Sequence, residues 1–320
     1  MTDIRRVDGG LITGRFTDHH VHLQLVDHTW LAGSRLGRVI DLGGNPTVLR
    51  DLAGATRMEN VGETNPEPAF SIRTGASRME NVGDSTPEPA HSIRAATPVI
   101  EYAGAFLTAP GGYPSDRTWA PNGSVREVSD AASAAAAVDE AAAAGASLIK
   151  VTLNSEAGPV LDDATFRAIA AAAASHRLPV VAHAEGAGQA QRAARLGAAR
   201  LAHAPFSERL TDAEIAEQAA SVEWISTLAI HDEAHRAIAI DNVRRFAVAG
   251  GTVLYGSDMG NGDTPVDLRP SEIEALREAG IDGIRLLHAL APLADDAHPL
   301  FLPAGDHALA RPLTPADLEA

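Results

Sequence analysis

No cysteine occurs among the 320 residues, so neither a disulfide nor a thiolate metal site can form. Any metal must then be held by imidazole and oxygen, a donor set that suits zinc, manganese, iron, cobalt or nickel. Basic charge is also scarce. Against 42 Asp and Glu stand only 26 Lys and Arg, and the formal charge of −16 argues against a nucleic-acid surface. No uncharged apolar run reaches the roughly 18 residues that a membrane span needs, and MTDIRRVDGG has no apolar stretch behind its arginines. The expectation is a soluble cytoplasmic protein without nucleic-acid or membrane partners, acting on a small molecule and open to homo-oligomerisation.

Lysine is rarer still. Lys150, in the β-branched run Ser147–Leu153 (SLIKVTL), is the only one, every other basic side chain being arginine. A guanidinium stays charged, whereas an amine can become neutral and react. Once it has added carbon dioxide, such an amine is a carbamate with two oxygens able to bridge metal ions. A lysine snorkelling at a strand end explains the same residue by itself. The histidines decide between these readings.

Chain length and an apolar fraction of 45% allow one large core. Short β-type runs recur at Phe16–Leu23, Arg38–Leu42, Val99–Leu107, Ser147–Leu153, Pro179–His183, Arg200–His203, Glu223–Leu228 and Thr252–Asp258. Helical patterns lie between them: Asn45–Leu52, Asp130–Ala144 before Gly145, Asp163–Arg177, and Gly188–Leu196 before Gly197. Thr211 with Glu214 and Ser271 with Glu274 have capping-box spacing. Strands alternating with helices in this way predict an α/β chain folded as a (β/α)8 barrel, one domain over 1–320.

One connection is abnormal. Ala55–Gly75 and Ala76–Ala96 are near-copies at a period of 21, sharing RMENVG, PEPA and SIR. Two copies are too few for a solenoid, and paired prolines argue against a continuous helix. This duplicated insert, between the second and third strands, is expected to serve packing or assembly, with an active-site lid as the alternative. The segment from Pro292 onward has no clear period and is expected to wrap the barrel or fray.

Asp18-His19-His20-Val21-His22 closes the first strand. Alternation places Asp18, His20 and His22 on one face, and imidazoles at i and i+2 can chelate one ion. Lys150 comes late in the fourth strand, while His183 ends the fifth, His203 the sixth and Asp258 the eighth. Each alone has a structural explanation, as a buried histidine or a helix cap. Five strands bringing metal-competent groups to one rim are a different matter, because barrel enzymes place their chemistry at those ends.

DHHVHL, IKV, AHAEG, LAHAP and GSDMG, in this order, resemble the metal-dependent amidohydrolase superfamily, in particular its two-metal members related to prolidases and imidazolonepropionase. The resemblance runs from about Thr17 to Pro292. It implies that His20, His22 and Asp258 hold a first divalent ion, that His183 and His203 hold a second, and that carboxylated Lys150 bridges them. Zinc is the first choice, with manganese, iron, cobalt or nickel as alternatives. It further implies hydrolysis of an amide, lactam, imide or related C–N bond by a metal-bridging hydroxide, with Asp258 as the catalytic proton carrier. A mononuclear deaminase, an esterase or phosphotriesterase using the same centre, and a catalytically silent scaffold are the alternatives. Many relatives have a small β-sandwich built from both termini. Here that part is expected to be reduced or absent.

Substrate contacts are expected from the loops: Tyr113, Trp119, His231 and the run Asn261–Arg269 follow the third, seventh and eighth strands. Arg269 is placed to receive a carboxylate or to pair with Asp267. His28 and Trp30 are placed to form a wall, and His288 and His298 are read as structural.

Overall fold

In the computed structural model, which describes residues 4–61, 97–292 and 299–318, two short strands precede the main alternation, β1 (Arg5–Val7) and β2 (Gly10–Thr13). Then follow β3 (Phe16–Val21), β4 (Leu36–Asp41), α1 (Pro46–Val61), β5 (Val99–Tyr102), β6 (Phe106–Thr108) and β7 (Val125–Glu127). The middle of the chain runs α2 (Ala131–Ala143), β8 (Ile149–Asn154), α3 (Asp163–Ser175), β9 (Val180–Glu185), α4 (Gln189–Leu196) and β10 (Arg200–Leu201). After it come α5 (Asp212–Ala219), β11 (Glu223–Ile225), α6 (Glu233–Val248), β12 (Val253–Leu254), α7 (Pro270–Glu278) and α8 (Ile284–Leu290). The chain ends in β13 (Leu300–Pro303) and β14 (Arg311–Pro312).

Every expected strand is present, and all pair in parallel. Seven strands form one sheet in the order β12-β11-β10-β9-β8-β6-β7, and β3-β4-β5 form another. Backbone hydrogen bonds join the two sheets on both flanks. Ser147 N donates to Tyr102 O at 2.9 Å, His19 N donates to Tyr255 O at 3.0 Å, and Val21 bridges Met259. The third expected strand is split: Gly104 takes a φ of +78°, which a side chain would resist, and so β5 ends before β6 begins. β7, with the sequence VRE, carries no apolar alternation and was not foreseen.

Both termini meet in a four-stranded antiparallel sheet, β1-β2-β13-β14. The terminal β-structure is therefore reduced rather than absent, and part of the segment after Pro292 is used to build it. α1 runs past its expected end at Leu52 to Val61, into the first copy of the repeat. The rest of the insert, 62–96, and His298 lie outside the described residues.

Helix ends follow local chemistry. Asp130 caps α2 with a reciprocal bond to Ser133, the Thr211–Glu214 box opens α5, and Gly197 closes α4 at a φ of +105°. The Ser271–Glu274 box does not form. α7 begins two residues earlier, with Arg269 at the N-cap and Pro270 at the first helical position, which its fixed φ suits and where its missing N–H costs nothing.

Most buried apolar side chains form one large cluster, but Ile40, Leu42, Ala103, Leu148, Val181, Ala202, Ile225 and Leu254 form a separate one, drawn from successive strands or their ends. Two residues further along their strands, on the same face, come Lys150 after Leu148 and His183 after Val181. The apolar layer thus supports a polar one at the C-terminal ends of the strands.

Candidate metal centre

His20 Nε2, His22 Nε2 and Asp258 Oδ1 face one another. The two nitrogens are 3.3 Å apart, and they lie 3.1 and 3.4 Å from the carboxylate oxygen. The other nitrogen of each ring is engaged: His20 Nδ1 donates to Ala202 O at 2.8 Å and His22 Nδ1 to Gly43 O at 3.1 Å. A carbonyl can only accept, so each Nδ1 carries the proton and each Nε2 presents a lone pair. Three electron-rich atoms at these separations repel unless a cation or a proton lies among them. Burial holds His20 well below its ordinary pKa. At His22 burial pulls the same way, but bonding and charge from Asp258 outweigh it and raise the imidazole. Burial would raise Asp258, yet His20, His22 and His203 hold it well below the usual carboxylate range. The donor types and their convergence fit a divalent ion.

Asp258 itself has a φ of +53°, a conformation rarely adopted without glycine. Its Oδ2 accepts from Asn261 Nδ2 at 2.9 Å. Thr227, with a φ of +43°, receives or donates the hydrogen bond at His203 Nδ1, 2.8 Å away. Two residues with strained backbones therefore both serve this cluster.

A second pair lies beside the first. The rings of His183 and His203 are 4.8 Å apart and perpendicular, and His203 is 4.7 Å from His20. His183 Nε2 donates to Glu185 Oε2 at 2.9 Å, leaving Nδ1 as the free lone pair; with Nδ1 bonded to Thr227, His203 has its Nε2 free. Lys150 is buried at 2% exposure, and its charge acts on all four histidines. Burial pulls its amine down to about 7, against the opposing pull of Asp258 and Asp41. A neutral amine of this kind is the form that adds carbon dioxide.

All six groups line one cavity of about 580 Å³. Tyr113, Trp119 and His231 line it as well, Tyr113 with its ring 5.4 Å from His183. Burial holds His231 down to about 4, and its Nε2 is buried without a partner among the described residues. Arg269 does not line this cavity. Its guanidinium bonds Ser257 O, Ala229 O and Ser271 Oγ, and Asp267 pairs with Arg35 instead. Trp30 and His28 do not line it either; Trp30 is 70% exposed and bonds Asp27. Asp18 is likewise outside it. Its carboxylate receives His20 N, Ser257 N and Ser257 Oγ, and burial raises its pKa to about 7. The strand register slips between Asp18 and Val21, so simple alternation does not hold there.

Asn261, in the expected run after the eighth strand, lines the cavity, whereas Phe106, Phe206, Glu185 and His235 line it without having been expected. Glu185 had a signal, since two residues after His183 on one strand it must share its face. Phe206 and His235 had none, because they reach the cavity from a loop and a helix.

No family model matches the sequence, and no curated protein matches it. Solved structures do. A Xaa-Pro dipeptidase with bound methionine is 16% identical, with a TM-score of 0.65 over 92% of this chain and 81% of that one. A putative prolidase from Bifidobacterium longum is 18% identical, with a TM-score of 0.66 over 95% and 79%. An ochratoxinase from A. niger is 14% identical, with a TM-score of 0.66 over 92% and 77%. At such identities the likeness concerns architecture, and on that ground the chain is built on the fold shared by prolidase and amidohydrolase structures.

Proposed function

We propose that this chain is a metal-dependent member of the amidohydrolase superfamily that hydrolyses an amide, lactam, imide or related C–N bond of a small molecule. In this reading the two joined sheets close a (β/α)8 barrel. His20, His22 and Asp258 hold one divalent ion, His183 and His203 a second, and Lys150 as its carbamate links them, with zinc the first choice. The observation that supports it most is the triangle of His20 Nε2, His22 Nε2 and Asp258 Oδ1 at 3.1–3.4 Å, with both Nδ1 protons already committed. The dipeptidase and prolidase names among the structural matches are consistent with it.

Bound there, divalent ions supply Lewis acidity and a water whose pKa falls from about 15.7 toward roughly 7. The remaining work belongs to the chain. Asp258 Oδ2, steadied by Asn261, accepts a proton as the carbonyl is attacked and returns it to the departing nitrogen. Neutral His231 offers its unpaired Nε2 to a polar atom of the substrate, and Tyr113 and Trp119 form a wall beside the reacting group. Metal analysis of the purified chain, with hydrolysis assays on varied amides after zinc or manganese loading, tests the proposal. About two ions per chain with turnover are expected; a metal-free chain that binds none on loading would end it.

A further inference from the structure

The cavity is lined by groups of two kinds, aromatic and titratable. Trp119 meets Phe106 and Tyr113 with ring centroids 6.1 and 6.0 Å apart, and Phe206 packs against His231 at 4.1 Å with the ring planes tilted by 30°. These rings offer an aromatic surface to a flat apolar group. Among the described lining residues the only lysine or arginine is Lys150, at the base. Glu185 and Asp232 line the cavity as well, Asp232 at the rim with His235 Nδ1 at 2.7 Å, and His231 is held neutral by burial.

The arginines that sequence position places nearby are spent elsewhere. Arg269 is tied to two backbone carbonyls and Ser271, and Arg117 lies over Tyr113, 5.6 Å from its centroid, with Asp116 at 3.3 Å. Beyond Leu25 and Gly262, which both sites share, a second groove continues with Asp27, Asp263 and the exposed indole of Trp30. Both the cavity and its continuation therefore present aromatic faces and carboxylates. A substrate carboxylate placed there would be desolvated without a cation to receive it.

We infer that the site takes substrates with a flat aromatic group whose far end is neutral or cationic, and disfavours those carrying a carboxylate. This rests on the proposed reading of the cavity as the substrate site. The candidate ligands at its base are buried, whereas Asp232 and His235 at the rim are 65% and 43% exposed, so the rim meets the part of the substrate remote from the scissile bond. Any bound ions add positive charge at the base, and the preference concerns the remote end.

Three probes with one core separate the charges: acetanilide, 4-(aminomethyl)acetanilide and 4-acetamidobenzoate. Binding to the zinc-loaded full chain is read from tryptophan fluorescence, with Trp119→Phe assigning the signal, and aniline release is measured separately. The carboxylate is expected to bind at least fivefold more weakly than acetanilide and the cation at least as tightly. That gap should narrow in Asp232→Asn, whose amide keeps the helix cap, and again at high salt. Equal or tighter binding of the carboxylate, an unchanged gap in Asp232→Asn, or no binding by any probe overturns the inference. If the probes bind in the expected order and no amide is cleaved by the loaded enzyme, the charge preference stands and the hydrolase reading falls.

Discussion

His183 Nε2 donates to Glu185 Oε2 across 2.9 Å, and Asn154 Nδ2 donates to the same oxygen at 2.6 Å. Asn154 is itself fixed, its Oδ1 accepting the backbone amides of Glu156 and Ala157 at 3.0 Å. The pair sets which nitrogen of His183 keeps its lone pair. Removing such a partner of a ligating histidine typically costs about 10–100-fold in metal affinity. We expect Glu185→Ala to weaken zinc binding in that range, and Glu185→Gln, which keeps an oxygen acceptor, to weaken it less. Calorimetric zinc titration checks the order; equal affinity in all three proteins would remove the positioning role.

Lys150 is expected to be replaceable only by chemistry, not by charge. Lys150→Ala and Lys150→Arg should each hold at most one ion in place of about two, since a guanidinium does not form the carbamate. Bicarbonate with a short carboxylic acid should restore part of the metal content to the alanine variant alone. Because burial lowers the amine to about 7, its neutral fraction grows as pH rises through that value. Metal uptake in bicarbonate should therefore be faster near pH 8 than near pH 6. Metal analysis by mass spectrometry against pH is the measurement, and a flat profile would contradict the assignment.

Gly256 leaves room for the first ligand. A Cβ at this position would come within 2.3 Å of Ile225 Cγ2 and 3.1 Å of His20 Cβ. Gly256→Ala should cost about 1–3 kcal/mol from overpacking. Because the same Cβ also crowds His20, it should weaken zinc binding as well. Thermal melts with and without zinc give both numbers. A variant destabilised but with unchanged zinc affinity would show that Ile225 yields rather than His20.

Glu272 gives a pH signature independent of the metal. It is fully buried in α7, its Oε2 accepting Ala229 N at 2.7 Å, and burial raises its carboxyl above the ordinary range. The folded state therefore binds this proton more tightly than the unfolded chain does. The resulting stability is full below the unfolded pKa and is lost as pH rises through the folded one. Glu272→Gln keeps an acceptor and no longer ionises. Its melting temperature should gain on the parent protein more at pH 8 than at pH 5, and a gain that does not grow with pH would refute this origin.

Much of the site can be read in the sequence because a strand is a ruler. Side chains two apart share a face, so Lys150 and His183, two residues beyond Leu148 and Val181, are tied to the buried layer below them. The ruler fails at irregularities. Gly104 divides the third strand, and the register slip after Asp18 takes that carboxylate to Ser257 instead of the cavity. Pro270 starts its helix before the Ser271–Glu274 box can form.

Sequence alone determined the parallel α/β alternation, the donor chemistry and the single lysine, since each depends on residue type and on short-range periodicity. Tertiary structure decided the rest. It turned Arg269 toward carbonyls of Ser257 and Ala229, gave Asp267 to Arg35, and brought Phe206 and Glu185 against the cavity. It also chose the free nitrogen of each imidazole, by placing Ala202 O, Gly43 O, Thr227 Oγ1 and Glu185 Oε2 opposite the other. Which partner a flexible or two-sided side chain meets is set by strands and loops remote in sequence, and no local pattern encodes that distance.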